Sequence, residues 1–264
     1  MTTSAKSGKE EFFDEHGRCI PDGVTSAVYE ETRRYFRIPK ININYIDIYN
    51  RIKNHLGSDG GITPENFKKR SEAILSDLEL DPTTKNITQG PAVPFFIPKD
   101  NIADIGSSLV TKYIKALDDS FSQENPTSEF INHCTEDLTD NLKVISDSRH
   151  QKILDMLQDR TIVGYYFPSL SEYSVPAAVE RLQTLPDKFL LAGGVDTCAA
   201  FIGSPNLLLR EVGYPPLLWM TALEGPSTEA AYHIEAYGYN LTFNRRAHLG
   251  QVAEYWSHAL VVLG

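Results

Sequence analysis

What the chain lacks narrows its class first. Cysteine is scarce: Cys19, Cys134 and Cys198 are the only three in 264 residues. They lie far apart and are odd in number, so there is no disulfide framework, and no C-x-x-C pair suggests a zinc knuckle or a redox couple. Free thiols suit a reducing compartment, which makes a cytoplasmic protein the expectation. No apolar run approaches the ~18–20 residues needed to span a bilayer, so no membrane is expected. The start of the chain carries Lys6, Lys9, Glu10 and Glu11 without an apolar h-region, unlike a secretory leader. Positive charge is also in deficit, 25 Lys and Arg against 35 Asp and Glu, for a net charge of −10. Such a chain is a poor polyanion binder, so nucleic acid is not an expected partner. No repeat at a solenoid period is visible, and 17 Gly with 15 Pro give no collagen-like or low-complexity bias. H-E-x-x-H, G-x-S-x-G, Walker A and G-x-G-x-x-G are all missing, which removes the common hydrolase, kinase and dehydrogenase readings.

What is present reads as an ordered globular chain, with 41% hydrophobic and 23% charged residues. Residues 1–22 are expected to form a mobile or loosely packed head. Residues 23–82 read as a helical unit. Val24, Val28, Tyr29 and Tyr35 suggest a helix over 24–36 that Pro39 closes. Asn44 can cap a second helix carrying Tyr45, Ile48, Tyr49, Ile52 and Leu56, with Gly57 as its stop. Thr63, Pro64 and Glu65 mark the next start, followed by the stripe Phe67, Ile74, Leu75, Leu78.

Residues 83–264 read as an α/β layered domain, with a single integrated domain as the alternative. Val93–Ile97, among prolines, predicts an edge strand. Ile102 to Phe121 gives an amphipathic helix. Asn125-Pro126 can open another over Phe130, Ile131, Cys134 and Leu138, and Ile153, Leu154 and Leu157 a third. From Thr161 the period changes to short apolar runs. Strands over 161–168, 189–192 and 216–223 alternate with helices over 174–185 and 196–202, which predicts parallel neighbours with right-handed crossovers. Residues 231–243 read as one long strand divided by Gly238, and 258–263 as the last. The expected fold class is α/β with an α+β tendency: a mixed, partly parallel sheet in the C-terminal half with flanking helices, preceded by a helical N-terminal unit.

Three places could carry chemistry. Gly193, Gly194, Asp196 and Thr197 follow a predicted strand, where free backbone N–H groups at a helix start attract phosphate or carboxylate. Asp196 is the expected N-cap. These four residues resemble the PP-loop of the ATP pyrophosphatase family, Ser-Gly-Gly-x-Asp-Ser/Thr, which would imply nucleotide binding. Ala192 stands where that family has serine, and the run comes late in the chain where that loop follows the first strand, so a plain strand-to-helix turn is favoured. Cys198, in the same first turn, could be an activated thiolate near the helix dipole, but a buried core thiol is the favoured reading.

The richest cluster is C-terminal. Strand alternation puts His233, Glu235, Tyr237 and Tyr239 on one face, an acid–base set, with Tyr232, Ile234, Ala236 and Gly238 opposite. Arg245, Arg246 and His248 follow, where a guanidinium could hold a carboxylate or phosphate. His233-Ile234-Glu235 also resembles the H-x-E of zinc deaminases, but no P-C-x-x-C follows, so no metal site is expected. His150, at a helix start, is expected to be exposed. Glu172, Tyr173 and Ser174 are expected to share a loop-lined crevice with Gly193–Thr197.

The function expected is binding, and with His233, Glu235 and Tyr237 as the reactive groups transformation, of a small anionic or polar metabolite. The alternative is a non-catalytic interaction or scaffold protein. No cofactor is indicated, the choice between enzyme and binder stays open, and a homodimer is compatible with the sequence.

Overall fold

The computed structural model describes residues 11–32, 37–210 and 215–264. The fold is α/β, with one eight-stranded mixed sheet, flanking helices and further helices N-terminal to it. No helix among the described residues is long and apolar enough to cross a membrane.

Local signals place the first helices. Helix α1 (Tyr45–Leu56) begins where the Asn44 side chain accepts from the Ile46 and Asp47 amides, and it ends at Gly57 in the left-handed conformation. Helix α2 (Pro64–Leu80) opens with the Thr63 hydroxyl accepting from Asn66 N–H and proline in its first turn. Strand β1 (Val93–Ile97) follows. A continuous helical stretch then runs from α3 (Ile105–Ser108) through a π-helical segment (Leu109–Ile114) into α4 (Lys115–Glu124). Strands β2 (Phe130–Asn132) and β3 (Lys143–Val144) precede helix α5 (Gln151–Asp159).

The sheet is assembled by pairings distant in sequence. Strand β4 (Ile162–Ser171) leads to helix α6 (Val175–Thr184), β5 (Leu190–Leu191), helix α7 (Gly194–Gly203), β6 (Leu217–Trp219) and β7 (Leu223–Glu224). Strands β8 (Ala230–Tyr237), β9 (Asn240–Ala247) and β10 (Trp256–Leu263) complete the chain. The order across the sheet is β1-β4-β10-β6-β8-β9-β2, while β3 and β7 pair separately. The last strand is therefore central. It runs antiparallel to β4 on one edge; on the other it pairs in parallel with β6 at Trp256–His258 and antiparallel with β5 at Leu260–Val261.

Both faces are covered, which explains the near-continuous apolar runs of β4 and β10. Ala259 and Val261 of β10 join the core under α1, α4 and α7, and Leu260 and Val262 join the opposite core under α6. Helix α2 contributes Phe67 to the first core and Ile74 and Leu78 to the second. It thus wraps the edge at β1, the usual protection for an open strand.

Five expectations need correction. Residues 24–32 are not helical; Val28 instead bridges Tyr173 in extended pairing, and residues 33–36 lie outside the described residues. Residues 126–138 are not helical either: Phe130–Asn132 pair in parallel with Leu241–Phe243. Residues 231–243 form a two-stranded hairpin, not one strand, because Gly238 at φ 63° makes the tight turn that returns Tyr237 against Asn240. Strands β4, β5 and β6 are not parallel neighbours, since β10 lies between β4 and the other two. Residues 11–22 are packed: Phe13 and Cys19 are fully buried, with the Phe13 ring 5.6 Å from that of Phe189. Residues 1–10 lie outside the described residues.

Candidate functional site

The glycine turn sits where two strand ends meet. Ala192 N–H donates to Ala259 O and Ala222 N–H donates to Ala192 O, so the C-terminal ends of β5 and β6 abut beside β10. Such a divergence often opens a ligand crevice. Here it is filled. Gly193, Gly194, Asp196 and Thr197 are all buried, as is Cys198. A side chain at Gly193 would lie 2.5 Å from His150 Nε2. Asp196 is not the N-cap: the helix begins at Gly194, and the Asp196 carboxylate accepts the Gly193 N–H at 3.0 Å from within the first turn. That bond uses the N–H a bound anion would need. Burial raises the Asp196 pKa, opposed by His150 at 3.7 Å. His150 is wholly buried, contrary to expectation, with Nδ1 3.2 Å from Leu191 O. Burial also holds the Cys198 thiol well above its ordinary value, so no thiolate forms there.

The hairpin β8–β9 does bring His233 and Glu235 to one sheet face, with His233 Nε2 3.5 Å from Glu235 Oε2. Arg246 Nη2 lies 3.6 Å from the same carboxylate oxygen, and its other nitrogen donates to Tyr255 Oη. Trp219 stands edge-on to the imidazole at 5.1 Å and to Trp256 at 4.9 Å. Desolvation lowers the His233 pKa against the pull of Glu235, so the ring is neutral near pH 7. At 1% exposure, however, the imidazole is enclosed, and its charged neighbours are paired with each other.

The remaining predicted residues lie apart from this group. Tyr237 is 67% exposed at the hairpin tip, with Tyr239 beside it. Arg245 faces the opposite side of the sheet, where it pairs with Glu136, which also accepts from Tyr232 Oη. His248 is exposed in the turn after β9 at φ 66°. Glu172 is buried and Tyr173 donates to Cys19 O, so this loop serves packing. Among the described residues, no group of three or more His, Cys, Asp or Glu could hold a metal ion.

An accessible cleft lies elsewhere, over the C-terminal half of β4. Its cavity of about 310 Å³ is lined by Asp14 and residues 16–18 of the head, Thr32, the segment 37–40, the loop 89–91, and Pro168 and Ser171. The head is held there by close backbone approach: Gly17, at φ 82°, would place a Cβ 2.3 Å from Gly90 N. His16, Arg18, Arg37 and Lys40 line the cleft, with Asp14 as its one carboxylate. Asp14 accepts from the His16 and Arg18 amides and so shapes the turn. Arg18 is spent on the carbonyls of Ser171, Tyr29 and Glu30 and lies 3.9 Å from the buried Glu172 carboxylate, and Lys40 donates to Thr88 O. Arg37 has no hydrogen-bond or ion-pair partner among the described residues and is exposed. Sequence reasoning passed over these residues. The available signal was local: Arg33, Arg34, Arg37 and Lys40 fall within eight residues that contain no acid, in a chain of net charge −10.

No protein-family model, no curated protein and no solved structure matches the chain.

Proposed function

We propose that the protein binds a small anionic metabolite in the cleft over β4, without transforming it there. The observation that carries this reading is Arg37: a guanidinium without a partner among the described residues, on the rim of a ligand-sized cavity where Arg18 and Lys40 are anchored by backbone carbonyls. Anchored cations set a fixed positive field, and a free guanidinium adds bidentate recognition of a carboxylate or phosphate. The Ser171 hydroxyl in the cleft meets Ser257 Oγ at 3.3 Å rather than a base, and the carboxylate of Asp14 is occupied by backbone amides, so binding is better supported than catalysis. The His233–Glu235–Arg246 group then serves as buried support under the sheet face.

The test is a thermal-shift screen of phosphorylated and carboxylated metabolites, since a ligand that binds the native state stabilises it by mass action. A binding anion is expected to raise the Tm of the wild-type protein and to lose that effect in Arg37→Ala, whose unliganded Tm is unchanged. A hit whose effect survives Arg37→Ala places the anion elsewhere and overturns the proposal, as does a screen without hits.

A further inference from the structure

A second depression lies where α1, the end of α4 and the turn after α7 meet. It measures about 260 Å³, and a smaller one of about 170 Å³ adjoins it and shares Asp47, Arg51 and Glu124. The guanidinium at its centre is already engaged. Arg51 Nη2 is 2.9 Å from Glu124 Oε2, and Arg51 Nη1 donates to Gly203 O at 3.4 Å. Asp47 is engaged by the Asn44 amide at 2.6 Å. Around this floor stand the carboxamides of Asn42, Asn50, Asn54 and Gln123, none hydrogen-bonded to a described residue. Ser204 also lines the larger depression. It is 5% exposed, and its buried hydroxyl has no partner among the described residues, whereas Ser120 on the neighbouring wall donates to Ile202 O.

We infer that this groove binds an uncharged polyhydroxyl compound, a sugar or sugar alcohol. A carboxamide presents a donor and an acceptor side by side, and adjacent hydroxyls of a polyol each supply both. The charges decide against an anion, which one cation facing two carboxylates repels. Glu124 is paired with Arg51 and Asp47 accepts from the neutral Asn44 amide, so an amine is the competing ligand that the experiment must exclude. No Phe, Tyr or Trp ring lines either depression and His55 is the one imidazole among their described lining residues, so a planar heterocycle finds no broad stacking platform. A buried hydroxyl without a partner is costly, and a ligand hydroxyl is a partner of matching chemistry. The groove shares no residue with the basic cleft, and this inference is independent of the function proposed there.

The experiment follows the side-chain NH2 resonances of Asn50, Asn54 and Gln123 by NMR. The full chain is titrated with D-glucose, maltose and D-mannitol up to about 50 mM, a range that reads millimolar dissociation constants, and in parallel with succinate and putrescine. Saturable shifts of these resonances with at least one polyol are expected, exceeding the response to either charged compound. Asn50→Ala and Gln123→Ala should each weaken that binding about fivefold, the loss of one or two hydrogen bonds. Ser204→Ala should weaken it while leaving the Tm unchanged or higher, which a merely structural hydroxyl would not do. No saturable shift with any of the three polyols overturns the inference, and so does a stronger response to putrescine or succinate than to every polyol.

Discussion

Acidification is expected to destabilise the protein through His258, by an amount the structure sets. The imidazole is fully buried at the centre of the sheet. Its Nε2 lies 3.0 Å from Tyr173 O, its Nδ1 lies 2.7 Å from Thr221 Oγ1, and Trp219 stacks on it at 6.3 Å. A neutral ring satisfies both bonds, donating to Tyr173 O and accepting from the Thr221 hydroxyl. Burial lowers its pKa from 6.5 to about 4. The folded state therefore resists a proton that the unfolded chain takes up near pH 6.5. Stability from this group is fully present above that pH, is lost as pH falls toward about 4, and is constant below. At ~1.4 kcal/mol per unit, the loss is about 2 kcal/mol at pH 5 and about 3 kcal/mol at pH 4. His233 acts in the same direction, while Asp196, whose pKa is raised, opposes at the acid end. A comparison isolates His258: His258→Gln keeps a donor toward Tyr173 O but cannot titrate. Urea unfolding of both proteins at pH 7.5, 6.0 and 5.0 should show the wild type losing about 2 kcal/mol more than the variant over that range. Equal losses would refute the buried neutral histidine.

Other perturbations have equally definite outcomes. Gly17→Ala, which strains a positive φ and meets Gly90 N, should lower the Tm and loosen residues 11–20, read as faster backbone amide exchange there. Asp196→Ala removes the acceptor for the buried Gly193 N–H and should cost about 2–3 kcal/mol in urea unfolding, with Asp196→Asn costing less because it keeps an acceptor. Asn44→Ala should cost about 1 kcal/mol as the loss of a helix cap, without affecting ligand responses at Arg37. A native-state titration with a thiol reagent at pH 7.5 should find no fast-reacting cysteine: Cys19 and Cys198 are buried with raised pKa values, and Cys134 is pushed up to about 12 by burial and Glu136.

What could be read from the sequence follows a physical division between local and distant partners. The Asn44 and Thr63 caps, Gly57 and Pro64 act within a few residues, and those helices form where their spacing predicts. Ser174 likewise caps α6 by accepting from Ala177 N–H. The misread segments are those whose backbone partners lie far along the chain. Phe130–Asn132 pair with residues more than a hundred positions later, and Val28 pairs with Tyr173. Their apolar spacing suits a helix equally well, and nothing nearby breaks the tie. Sheet order is hidden for the same reason. Strand β10 reads as one more strand at the end of the chain, yet it holds the centre because its residues 259–263 are apolar on both faces and need cover on both.

The candidate site divides in the same way. Alternation along β8 is a local property, and it correctly set His233 and Glu235 on one face; whether that face opens to solvent depends on residues 248–255 folding back, with Leu249, Ala253 and Tyr255 packed beside Trp219 and Trp256. The glycine turn was visible too, but its closure rests on His150, more than forty residues upstream. The basic cleft draws on four separate stretches of chain, so no single window contains it. Net charge bears on large and small anions differently, for a reason of scale. At physiological salt, fields fade over about 8 Å, so acids elsewhere on the surface barely act on an anion at Arg37. A nucleic acid spans many such lengths and meets the whole acidic surface. A small anion in the cleft would meet His16, Arg18, Arg37, Lys40 and Asp14, with Glu15 and Glu172 behind His16 and Arg18. A charge of −10 therefore argues against the large polyanion and leaves the small one to be decided by local geometry.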